Sequence, residues 1–89
     1  MVVSQLSPLE FPCSFPLKVF GKDEDAFESF IVGIVRKHVP ELQEENVSSR
    51  LSDGGKYLAV TATFIADSRE QLDALYLELS RHDRVLKVL

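Results

Sequence analysis

The chain holds one cysteine, Cys13, and two histidines, His38 and His82. A thiolate held against an imidazole is the most reactive pairing these residue types allow. Cys13 lies in the proline-flanked stretch LEFPCSFPLKVFG, His38 ends a helical pattern, and His82 falls in the polar turn SRHDR. No motif brings any two of them together. The residues therefore imply a small, partly buried cysteine in an extended arm, an exposed His82, and a His38 that serves a helix C-terminus.

Two other groupings invite chemistry. Gly21 before a helix resembles a phosphate cradle, but Asp23, Glu24 and Asp25 follow it. Carboxylates at a helix start stabilise the helix dipole themselves and repel a phosphate. With Glu28 the same acids lack the ordered ligand spacing of a calcium loop, so a solvated helix cap is expected and no metal. The chain has no Ser-His-Asp pattern, HExxH, P-loop or dinucleotide fingerprint. No catalytic residue, no cofactor and no enzymatic activity are expected.

The elements that position these residues follow from periodicity. With 89 residues, 45% of them hydrophobic, the chain suffices for one core and not for two. An irregular arm is expected over 1–14 and a single domain over 15–89. In FPLKVFG, Phe15, Leu17 and Val19 alternate with Pro16, Lys18 and Phe20, the period of a strand with one buried face. Phe27, Phe30, Ile31, Ile34 and Val35 recur at helical spacing, followed by basic residues and Pro40. NVSSRLS and KYLAVTATFIA flank DGG as a hairpin. Ser68 and Gln71 stand at capping-box spacing before the stripe Leu72, Leu75, Tyr76 and Leu79, and RVLKVL supplies a last strand.

The order βαββαβ defines an α+β, ferredoxin-like sandwich: a four-stranded antiparallel sheet, first and third strands central, with two helices on one face. The other face is bare. With Phe15, Leu17 and Val19 turned to the helices, the first strand shows Pro16, Lys18 and Phe20. Two registers are open to the third strand; with Leu58, Val60, Ala62 and Phe64 inward, its outer side shows Tyr57, Ala59, Thr61, Thr63 and Ile65. Such a face pairs with another sheet, a second copy or a partner protein, or is simply solvated.

A net charge of −4 and a pI near 5.0 leave no broad basic field, so nucleic acid is not an expected partner. Nor is a membrane, since no apolar run approaches spanning length. One unpaired thiol and no leader pattern fit the cytoplasm.

The blocks LEFPCSFPLKVFG, RKHVP, SDGGKYLAVT and LYLELSRHDRVLKVL together resemble the YbeD-like family of small bacterial proteins. The resemblance runs from Leu9 to Leu89. It implies a ferredoxin-like fold similar to ACT domains, the modules that bind amino acids in metabolic enzymes, and hence a regulatory role. It also implies a connection to lipoate metabolism. ACT domains hold ligands at the loop between first strand and first helix; here that loop is FGKDED, without the usual proline and small residues. The combined expectation is a non-enzymatic regulatory or adaptor domain, dimeric, working through the open face and this loop, with Lys18, Gly21, Tyr57 and Thr61 in contact. The alternative is a sensor of an amino acid or acyl metabolite at the same loop.

Overall fold

The computed structural model describes residues 10–52 and 54–89. Most of the arm expected over 1–14 lies outside the described residues, as does Asp53 in the hairpin turn. Strand β1, Cys13–Lys22, opens two residues before Phe15, so Cys13 and Ser14 are strand residues paired with Ala66 and Ile65. Helix α1 spans Phe27–His38, a short 3-10 turn Glu44–Asn46, β2 Val47–Leu51, β3 Tyr57–Ala66, α2 Arg69–Ser80 and β4 Lys87–Val88.

The strands lie in the order β2-β3-β1-β4, every neighbouring pair antiparallel. This is the ferredoxin-like order expected from the sequence. Leu17 and Val19 of β1 and Leu58, Val60, Ala62 and Phe64 of β3 are buried under the helices, which settles the register of β3. They join Phe27, Ile31, Ile34 and Val35 of α1 and Leu72, Leu75 and Leu79 of α2 in one core. Phe15 packs between Phe64 and Tyr76, with ring centroids 6.0 and 6.4 Å away.

Proline in a central strand needs a reason, because it cannot donate to a ladder. Lys18 and Phe20 turn their backbone groups toward β4: Lys18 N–H donates to Leu89 O at 3.1 Å, and Phe20 O accepts from Leu86 N–H at 2.8 Å. Pro16 has the same parity, so its ring nitrogen faces the β4 side, where the described ladder from β1 reaches only as far as Lys18.

Helix α1 begins later than the acids suggest. Asp25 and Ala26 adopt the left-handed region, φ 52° and 53°, and break the helical run. Asp23, Glu24 and Asp25 therefore lie in the preceding loop, and Glu28 is the acid of the first turn. Helix α2 is capped as its sequence predicts. Ser68 Oγ accepts from Gln71 N–H at 3.1 Å, while the Gln71 side chain reaches one residue past the cap to accept from Asp67 N–H at 2.7 Å. In the hairpin, Gly54 and Gly55 hold φ of 86° and 71°, the positive values that only glycine adopts freely.

Candidate functional site

The sheet face away from the helices is covered by no described element. Register fixes what it shows. One row crosses all four strands as Arg50, Ala59, Phe20 and Lys87, and the next as Ser48, Thr61, Lys18 and Leu89. Further rows set Tyr57 beside Lys22, Thr63 beside Pro16, and Ile65 beside Ser14. Tyr57, Ile65 and Leu89 are 40%, 53% and 54% exposed, so the face carries apolar surface that none of the described residues buries.

Of the residues predicted for contact, Lys18 and Thr61 are direct cross-strand partners at the centre of this face. Tyr57 lies on the same face, four residues along β3 from Thr61. Gly21 does not join them. It is buried on the helix side, where an added Cβ would lie 2.3 Å from Phe27 Cζ and 2.6 Å from Arg84 O. Its missing side chain is what lets the Phe27 ring enter the core.

Arg50, Lys87 and Leu89 were not singled out by the sequence, although strand parity alone would have placed Arg50 and Lys87 outward. The role of Arg84 was also hidden. Its guanidinium stacks 4.5 Å from the Phe30 ring centroid and 5.6 Å from that of Phe27, and Nη2 donates to the carbonyls of Glu24 and Asp25, the latter at 3.0 Å. It thereby holds the loop between β1 and α1.

Each histidine has a structural partner. His38 Nε2 lies 2.8 Å from Glu78 Oε1, and Lys37 Nζ donates to Glu78 Oε2 at 2.8 Å, tying the end of α1 to α2. The Lys37 and His38 hydrogen bonds lower the Glu78 carboxyl to about 2. Nearby, Gln71 Nε2 donates to His38 O at 3.0 Å. His82 is half-buried, not exposed, with its ring edge-on to Phe30 at 5.2 Å. Cys13 is half-buried at the start of β1. Among the described residues no three His, Cys, Asp or Glu gather as they would around a metal ion, and no helix is long and apolar enough to cross a membrane.

An antiparallel sheet with helices on one face, and on the other a mixed apolar and charged surface that no described element covers, defines a ferredoxin-like α+β domain. The chain belongs to the DUF493 family, described as proteins of unknown function, whose profile matches residues 7–89; these are the UPF0250, YbeD-like bacterial proteins. It is 49% identical over 80 residues to a UPF0250 protein of Chromobacterium violaceum, covering 90% of each chain. It is 44% identical over 91 residues to one of Janthinobacterium, covering 98% of this chain and all of that one. The solution structure of HP0495 from H. pylori superposes with a TM-score of 0.72 at 13% identity, over 91% of this chain and 85% of that one, which shows a shared fold.

Proposed function

We propose that this protein is a non-enzymatic regulatory or adaptor domain that docks a partner protein on its open sheet face, around Lys18 and Thr61. The observation that carries the reading is the sheet face that no described element covers. It offers Phe20, Tyr57, Ile65 and Leu89 interspersed with hydroxyls and amines, a mixture of apolar and polar groups of the kind protein interfaces use. His38 is engaged by Glu78 and His82 by Phe30, contacts that tie elements of the fold together. A place in lipoate metabolism is the pathway implied by family resemblance.

The metabolite alternative would put a ligand at the loop between β1 and α1. There the carbonyls of Glu24 and Asp25 already accept from Arg84, so the protein reading is preferred. The test is capture from an extract of the protein's own cells by wild type, Lys18→Glu and a helix-side reversal, Glu70→Lys. A partner held by wild type and Glu70→Lys but lost by Lys18→Glu, with no loss of thermal stability, is the expected result. Equal retention by all three would sink it.

A further inference from the structure

Resting on the open-face reading, we infer that the partner presents an acidic segment, an Asp- or Glu-rich stretch of protein laid across β2, β3, β1 and β4. The strands carry four charged residues, Lys18, Lys22, Arg50 and Lys87, and all four are cations. Register puts every one of them on the open face. The described acids lie in loops and helices. An acidic protein thus sorts its charge by face.

The arrangement is specific enough to name the ligand chemistry. Arg50 and Lys87 stand at the two ends of one row, three strand spacings or about 14 Å apart. Phe20 and Ala59 form the apolar floor between them, and Lys18 and Thr61 occupy the centre of the next row. None of these cations has an ion-pair partner among the described residues, where the salt bridges run to Glu78. Carboxylates set between apolar side chains would meet the flanking cations while their neighbours cover Phe20.

Two other occupants fit less well. A second copy laid face to face would bring like charges together, which costs free energy. Single-stranded RNA needs exposed rings side by side for its bases. Here Phe20 is half-buried and Tyr57 stands at the sheet end. A long polyanion would also run along the strands into Glu24 and Asp83 beside Lys22, or Glu41 beside Ile65.

The test is an amide chemical-shift titration of the full chain with a short peptide alternating glutamate and leucine. The same peptide with lysine for glutamate, oligouridylate, and dilution of the protein alone are run in parallel. The glutamate peptide should move the amides of Lys18, Phe20, Arg50, Thr61 and Lys87. Its binding should weaken as salt shortens the Debye length from about 10 Å at 0.1 M to about 3 Å at 1 M. Arg50→Glu with Lys87→Glu should weaken it by about tenfold or more. No shifts, equal binding of the lysine peptide, stronger shifts with oligouridylate, or shifts of these amides on dilution alone would overturn the inference. If an extract partner is lost by Lys18→Glu yet survives both high salt and the double reversal, docking on the face stands and the acidic chemistry falls.

Discussion

Gly21 and Gly33 show how much a single hydrogen atom decides. An alanine Cβ at Gly21 would overlap the Phe27 ring at 2.3 Å, and that ring is 1% exposed with no room to retreat. Gly21→Ala should therefore cost about 1–3 kcal/mol, the range for overpacking a core, measured by urea unfolding. Gly33 has nothing within 4 Å and lies exposed in the middle of α1. There the same substitution should stabilise by about 0.5–1 kcal/mol through helix propensity. Equal effects at the two sites would refute the packing argument. The sequence marks Gly21 as a strand end before a helix, but not the aromatic ring that requires it, because Phe27 reaches it only after α1 has docked. Glu78 lies within the same limit. Its carboxyl is lowered from 4.5 to about 2, first by Lys37 and then by His38, so the folded state holds the charged form more firmly than the unfolded one. The stability this adds is fully present above about pH 4.5 and is lost as pH falls toward 2. Glu78→Gln should flatten the acid limb of stability in that window and leave its slope above pH 6 unchanged; an unaltered acid limb would show that the contact adds nothing in solution.

At the scale of the element, the two helices begin in opposite ways, and their boundaries were legible to different degrees. α2 has a Ser68 cap that its sequence announces and its structure uses. Ser68→Ala should cost about 1 kcal/mol. α1 has Ala26 at the cap position in the left-handed region, with no side-chain cap bond, and depends on Arg84 to hold the loop before it. Ala26→Gly should relieve the φ penalty and improve the cap, raising stability by about 1 kcal/mol. A loss of stability there would mean that the alanine methyl makes a contact worth more than the strain. Apolar periodicity located both helices and all four strands, because alternation of two and of 3.6 is imposed by the core itself. It missed the start of α1, where three acids imitate a first turn and the break is set by a backbone angle and by an arginine about sixty residues away. It also overextended β4, whose ladder to β1 lasts only while Leu86 to Leu89 pass Phe20 and Lys18.

For the whole molecule, net charge was the least informative number. A pI near 5.0 hides the fact that every charged strand residue is basic and faces one way. The parity of each strand contained that information, but only the pairing of β2 and β4 with the central strands turns four separate residues into one surface. A surface of like charges with no ion-pair partner among the described residues is held against its own repulsion, so it should limit stability. Lys87→Glu tests this without any partner present. The new carboxylate would lie diagonal to Lys18 across β1 and β4, within reach of a long side chain. At low salt it should raise the unfolding midpoint by about 2 °C, corresponding to a few tenths of a kcal/mol in a domain of this size. In 1 M salt, with a Debye length of about 3 Å, the difference should vanish. A midpoint that falls at low salt would mean that Lys87 already has a stabilising partner, and the face would then be a balanced surface with no surplus of positive charge to offer an acidic segment.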